Sequence, residues 1–136
     1  MREGWAGDDY LVLFSDSEVE SATARYQIER FLPGHVVVGL RGWDDLIVKD
    51  KDGSIYTVPC VPMITRHVAG YSLQRDIGLE SDSRFTGKIK WYTKPLIFGG
   101  DPDPGKNVTW VTHEQHGELV VWWNLKHNEV KGDDSA

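Results

Sequence analysis

The sequence predicts an α+β fold in which helices flank an antiparallel sheet. Three short runs rich in β-branched residues lie between residues 35 and 58, and tight turns separate them. Two segments with helical apolar spacing each begin at a capping box, one at Ser15 and one at Thr112. We therefore expect a meander of antiparallel strands with helices packed on it.

The first predicted strand spans residues 10–14, because YLVLF is a short apolar run bounded by acids and Ser15. Ser15 and Glu18 form the capping box of a helix predicted over residues 16–31. The apolar stripe of this helix is narrow, so we expect it on the surface with one face packed. Pro33 and the glycine after it end the helix.

The next three strands form the predicted meander. They span residues 35–40, 45–49 and 54–58, and the turns between them span residues 41–44 and 50–53. The second turn, DKDG, is a strong hairpin loop because Asp and Gly tolerate a left-handed backbone. Proline has no amide hydrogen to donate, so Pro59 and Pro62 end the regular pairing.

The C-terminal half carries weaker patterns. Residues 64–76 favour a helix only weakly, and the polar residues 78–87 indicate a loop. Strands are predicted at residues 88–93, 95–98 and 107–111, with a turn-rich loop at 99–105.

The final predicted helix runs from about residue 113 to residue 126. Thr112 and Gln115 form its capping box. Its apolar stripe has helical spacing and should face the core; it comprises His116, Leu119, Val120 and Trp123.

Size and charge favour one acidic domain. The chain has 136 residues, and we expect a single domain over residues 1–130 and a disordered tail over residues 131–136. Its formal net charge of −6 disfavours nucleic acid and would attract a basic protein partner, although on charge alone a role in solubility is the preferred interpretation. A single cysteine, with no apolar run long enough to cross a membrane, favours the cytoplasm.

The stretch FLPGHVVVGLRGWDDLIVKDKDGSIYTVPCVPM resembles the central part of the SUKH superfamily. This superfamily includes bacterial immunity proteins and a fungal cell-wall-synthesis regulator. The leucine-proline-glycine step at residues 32–34, the glycine turn, the acidic hairpin and the proline pair match its pattern. Residues 88–124 more loosely resemble a tail found in immunity proteins of the same type. In this chain the N-terminal helices usual in the family are shortened or absent.

The resemblance implies a stoichiometric immunity protein, not an enzyme, that binds and neutralises a bacterial toxin such as a basic nuclease or another secreted effector. We predict that acids and one aromatic residue on turns contact this toxin by pairing with its basic groups. These residues are Trp43, Asp44, Asp45, Asp50, Asp52, Asp101 and Asp103.

Two other functions stay open at this point. One is a scaffold or regulatory binding domain without a toxin partner. The other is a hydrolase that uses His113 and His116, although their spacing does not match the i, i+4 pair of zinc proteases. We favour packing of His116 on the core, and a core role for Cys60, so we expect no metal and no cofactor.

Overall fold

The computed structural model describes residues 1–74, 77–94, 98–100 and 107–130. Its main sheet has six antiparallel strands, each paired with the next along the chain. These strands are β1 (Arg2–Ala6), β2 (Asp9–Leu13), β3 (Val36–Arg41), β4 (Asp45–Lys49), β5 (Ile55–Pro59) and β6 (Ala69–Gly70). A second sheet pairs β7 (Ile89–Tyr92) with β8 (Val108–Val111).

The helices named for the described residues are α1 (Asp16–Arg25), α2 (Ile28–Phe31) and α3 (His113–Val130), and they accompany the sheets. Residues 64–76 favoured a weak helix, but their described part, residues 64–74, forms a 3-10 turn at Thr65–His67 and the short strand β6. The predicted α+β class, with helices beside an antiparallel sheet, is therefore confirmed. No helix in the described ranges has the length and apolar character needed to cross a bilayer.

The predicted meander is confirmed and is longer than expected. Strand β4 has the predicted bounds, and the DKDG turn joins it to β5. Strand β1 was not predicted, because only Gly4 in its sequence REGWA is buried and no apolar alternation is visible. The predicted strand at residues 95–98, the loop at 99–105 and the tail at 131–136 lie largely or wholly outside the described residues.

The predicted helix over residues 16–31 is wrong in its middle, where two helices form instead of one. Gln27 has a left-handed φ of 49° and separates α1 from α2. Tyr26 and Ile28 are both buried, yet two residues along a straight helix point about 200° apart. The break at Gln27 lets both side chains reach the same core.

One face of the main sheet packs against the helices. Its inward side chains form one core with α1, α3 and the small sheet, including Tyr10, Val37, Leu46, Ile89 and Val120. A bulge at Val38 shifts the register of β3, so that Val37 and Leu40 both point into this core.

The chain leads from β6 at one edge of the main sheet to Glu80 beside β1 at the other edge, and we call its described residues, 71–74 and 77–80, the crossing segment. Tyr71 donates its backbone N–H to Ile55 of β5, and the Arg41 guanidinium lies 5.3 Å from the centre of the Tyr71 ring. Farther along, Glu80 pairs with Trp5 through two backbone hydrogen bonds of 2.8 and 2.9 Å. The crossing segment thus ends beside β1, at the opposite edge from β6.

Candidate functional site

Five aromatic rings from five separate segments meet at one end of the main sheet. We call this group the aromatic cluster; it comprises Trp5, Tyr10, Trp43, Phe85 and Trp110. Trp43 stacks on Tyr10 with ring centres 5.6 Å apart, and Phe85 stacks on Trp110 at 5.5 Å. Trp43 joins the two stacks because it contacts Phe85 at 5.2 Å and Trp110 at 5.9 Å.

The cluster runs from the core to the surface. Tyr10 is fully buried, whereas 42% of Trp110 is exposed. Trp43 and Phe85 lie between them and are half-buried. Edge and stacked contacts of this kind fix the orientation of each ring, so the exposed indole of Trp110 is held by the rings beneath it.

Backbone hydrogen bonds fix the turn that carries Trp43. Gly42 has a left-handed φ of 59° and donates its N–H to the carbonyl oxygen of Tyr10 at 2.7 Å. The carbonyl oxygen of Asp44 accepts a hydrogen bond from the N–H of Cys60 at 2.8 Å. Trp43 therefore lies between two tethered residues.

The loop that carries Phe85 is organised by the carboxylate of Asp82. This carboxylate accepts hydrogen bonds from the Arg84 guanidinium at 2.8 Å and from the Trp5 indole N–H at 3.1 Å. The backbone N–H of Phe85 donates to the carbonyl oxygen of Asp82 at 3.0 Å. Arg84, followed by Trp5, lowers the pKa of Asp82 well below its ordinary value, so the side chain is ionised at neutral pH.

Glu3 of β1 ties the same loop to the sheet. Its carboxylate accepts hydrogen bonds from the Tyr10 hydroxyl at 2.9 Å and from the Gly87 N–H at 3.0 Å. Burial, together with the Glu3 carboxylate, raises the pKa of Tyr10 to about 12. Tyr10 therefore remains a hydrogen-bond donor throughout the physiological range.

Two cations lie over the aromatic faces. The Lys90 ammonium lies 5.8 Å from the Trp43 ring centre, and the Arg84 guanidinium lies 5.0 Å from that of Phe85. The Arg84 side chain is 75% exposed although its guanidinium is bound by Asp82. A second molecule at this surface would meet indole rings beside an oriented guanidinium.

The structure places three of the predicted contact residues at this end of the sheet. Asp44 is exposed next to Trp43. Asp45 is half-buried, and its carboxylate lies 3.8 Å from the Arg41 guanidinium, which also approaches Asp9 at 3.4 Å. Burial raises the pKa of Asp45 in spite of Arg41. Asp44 is thus the more accessible of the two acids.

Asp50 and Asp52 lie at the other end of the sheet, separated from Asp45 by the length of β4, roughly 17 Å. Asp50 accepts hydrogen bonds within its own hairpin from the N–H groups of Asp52 and Ser54 and from the Tyr56 hydroxyl. Desolvation opposes these bonds, but they outweigh it and lower the pKa of Asp50. Asp52 is exposed, and Asp101 and Asp103 lie outside the described residues.

The histidine and cysteine considered at the sequence level meet inside the core. The Tyr26 hydroxyl lies 2.6 Å from His116 Nδ1, and Cys60 Sγ lies 3.9 Å from His116 Nε2. Burial is the main reason that the pKa of His116 falls to about 3 and that the pKa of Cys60 rises. At neutral pH the hydroxyl of Tyr26 and the neutral imidazole of His116 share a hydrogen bond whose direction depends on the tautomer of the ring.

Tyr26, Cys60 and His116 are all buried. Their environment therefore differs from that of a catalytic cysteine–histidine pair. Reactive cysteines have lowered pKa values and some exposure, whereas Cys60 is buried and keeps its proton. The expected core packing of His116 and Cys60 is confirmed. Within the described residues, no group of three His, Cys, Asp or Glu side chains is placed to hold a metal ion.

Asn124 of α3 joins the helix to the proline-rich segment after β5. Its amide oxygen accepts from the Met63 N–H at 2.7 Å, and its amide nitrogen donates to the carbonyl oxygens of Cys60 and Val120. The side chain is buried with every contact satisfied, so Asn124 is a structural residue.

No protein-family model matches the chain, and no curated protein or solved structure matches it.

Proposed function

We propose that this chain is an immunity protein that binds a bacterial toxin stoichiometrically and neutralises it by covering its active site. The surface that we assign to this contact is called the aromatic surface and comprises Trp43, Asp44, Arg84, Phe85 and Trp110. The observation that carries the proposal is the aromatic cluster, which is fixed on the core side and exposed at Trp110.

The composition of this surface supports protein binding. Tryptophan, tyrosine and arginine dominate the binding energy of protein interfaces. Rings that are already held in place lose little conformational entropy when a partner binds. Trp110 is held by Phe85 and Trp43, and Arg84 is held by Asp82.

The charge of the chain supports a basic partner. The net charge of −6 attracts a basic toxin over a distance. Asp44 is an exposed acid beside the rings and is placed to pair with a basic side chain of the toxin. Asp52 is also exposed but lies at the opposite end of β4, so we leave it outside the contact.

The proposal is tested with the product of the neighbouring toxin gene, by co-purification, by titration calorimetry and by rescue of growth. We expect Trp110→Ala to weaken toxin binding by about tenfold or more, as for a hot-spot residue. Trp110→Phe should retain most of the affinity because it keeps a stacked ring. Asp44→Asn should slow association more than Asp52→Asn does, since only Asp44 lies in the contact.

Three outcomes would overturn this proposal. The first is the absence of both binding and rescue. The second is binding without rescue, which would favour a regulatory role. The third is loss of affinity at Asp52 but not at Trp110, which would move the contact to the β4–β5 hairpin.

A further inference from the structure

Helix α3 packs one face on the core, and its exposed face carries a row of residues that this packing does not explain. Successive positions four, four, three and four residues apart share one helix face. Along α3 these positions are Glu114, Glu118, Trp122, Leu125 and Glu129. We call this group the acidic–apolar stripe.

The two apolar residues in the middle of the stripe are unusually accessible. Trp122 is 56% exposed and Leu125 is 40% exposed. The opposite side of the same helix is buried through His116, Val120 and Asn124. Burial of the exposed Trp122 and Leu125 surfaces by a partner would be favourable.

The Trp122 ring is held in place by its neighbours. It contacts the ring of Trp123 edge-on with centres 4.8 Å apart, and Trp123 contacts Phe98 at 5.0 Å. This row of rings leads from the side of the helix to its exposed face. Trp122 is thus an aromatic anchor that needs little reordering on binding.

Acids flank the two apolar residues along the helix. Glu118 lies one turn before Trp122, and Glu129 lies one turn after Leu125. Lys126 approaches Glu129 at 3.9 Å, but their side chains are 42% and 74% exposed to water, so this pair is weak. A ligand at the stripe therefore meets an apolar centre with negative charge at both ends.

We propose that the acidic–apolar stripe is a second docking surface, which takes a basic amphipathic helix of a partner protein. Leucine-like side chains of that helix would cover Trp122 and Leu125, and its lysines or arginines would face Glu118 and Glu129. This surface is separate from the aromatic surface, and the inference does not rest on the proposed function.

Charge argues against two other occupants. In a second copy packed antiparallel around Trp122 and Leu125, Glu118 would face Glu129, and in a parallel pair each acid would face itself. Like charges in register are destabilising. Anionic lipid headgroups would be repelled by the same acids.

The test uses an 18-residue fluorescent peptide with leucine and lysine at helical spacing, and a matched peptide with glutamate in place of lysine. We expect the lysine peptide to bind, with an affinity that falls as salt rises, and the glutamate peptide not to bind. Trp122→Ala and Leu125→Ala should each weaken binding by about tenfold. Trp122→Phe should keep most of the affinity.

A pair of charge variants separates specific docking from general attraction. Glu118→Gln with Glu129→Gln should weaken binding and flatten its salt dependence, whereas Glu20→Gln with Asp52→Asn, which removes two exposed acids elsewhere, should not. Circular dichroism checks that each variant is folded. Equal binding by all variants, equal binding of both peptides, or Trp122-dependent self-association in sedimentation would each overturn the proposal.

Discussion

The indole N–H of Trp5 donates to the Asp82 carboxylate at 3.1 Å and so joins the first strand to the loop that carries Phe85. The guanidinium of Arg84, which follows Asp82 by two residues, binds the same carboxylate. One side chain in a polar loop therefore positions residues on both flanks of the aromatic cluster. We expect Asp82 to influence partner binding through Trp5 and Arg84, which its carboxylate holds.

We expect Asp82→Ala to loosen this loop without unfolding the protein. Phe85, Thr86 and Gly87 should exchange their amide hydrogens about tenfold faster, because their local opening becomes easier. Affinity for the proposed toxin should fall as well, since Phe85 supports Trp110. Hydrogen exchange read by mass spectrometry measures the first effect. Ser83→Ala is the control, and unchanged exchange in Asp82→Ala would remove the positioning role.

Gly39 should tolerate no side chain, because a Cβ at this position would lie 2.4 Å from the carbonyl oxygen of Val12. A backbone oxygen within a sheet cannot move aside as a flexible side chain can. We expect Gly39→Ala to lower the free energy of unfolding by about 2–3 kcal/mol. Gly70→Ala in β6 meets no atom within 4 Å and should be nearly neutral. Urea denaturation compares the two variants, and similar midpoints would contradict this account.

Asn124 should be more important for stability than its polar character suggests. Asn124→Ala leaves the buried Met63 N–H and the Cys60 carbonyl without their partner, which should cost about 2–4 kcal/mol. Asn124→Asp should be at least as harmful at neutral pH, because it places a carboxylate against two carbonyl oxygens. Thermal and urea unfolding measure both. A mild effect of Asn124→Asp would mean that the carbonyl contacts contribute little.

His116 should make folding sensitive to acid. Its folded-state pKa of about 3 lies below the ordinary value of 6.5, because burial and the nearby His113 and Arg25 disfavour the charged ring. Between these pH values the unfolded chain binds a proton that the folded protein excludes. The free energy of unfolding therefore falls as the pH drops from 6.5 toward 3, by up to about 1.4 kcal/mol per pH unit.

His116→Gln separates this effect from the carboxylates that also titrate in acid. Glutamine has a donor and an acceptor that can still hydrogen-bond to the Tyr26 hydroxyl, but it carries no titratable group. The variant should lose the part of the pH dependence that His116 supplies, which urea unfolding at several pH values will show. If the free energy of unfolding changes with pH in the same way for both proteins, the folded state accommodates the charged imidazolium.

Local patterns in the sequence were enough to predict the central meander. The β-branched runs and the Asp-Gly hairpin placed β4 with its observed bounds, and both capping boxes formed as predicted. The crossing segment was not predictable, since its contacts with Ile55 and Trp5 are backbone bonds that leave no periodic pattern. The break at Gln27 was missed because burial of both Tyr26 and Ile28 overrode helical propensity.

The candidate site was predicted only in part, because the sequence does not show which distant residues the fold brings together. Trp43 and Asp44 were named from a turn, but Phe85 and Trp110 lie far away in the chain and only the fold brings them together. The one available indication was the high tryptophan content, six in 136 residues. Asp50 was also named from a turn, and the sequence did not reveal that its carboxylate is bound by its own hairpin; its contact with a partner stays a prediction.

The pairing of Trp5 with Glu80 has a consequence for synthesis on the ribosome. Strands β1 to β5 can assemble as they emerge, but the outer edge of β1 stays open until Glu80 arrives. An open edge is a template for strands of other nascent chains. A chain truncated after β6 would keep this edge permanently, so its ribosome-bound and released forms should co-aggregate, whereas those of the longer chain should not.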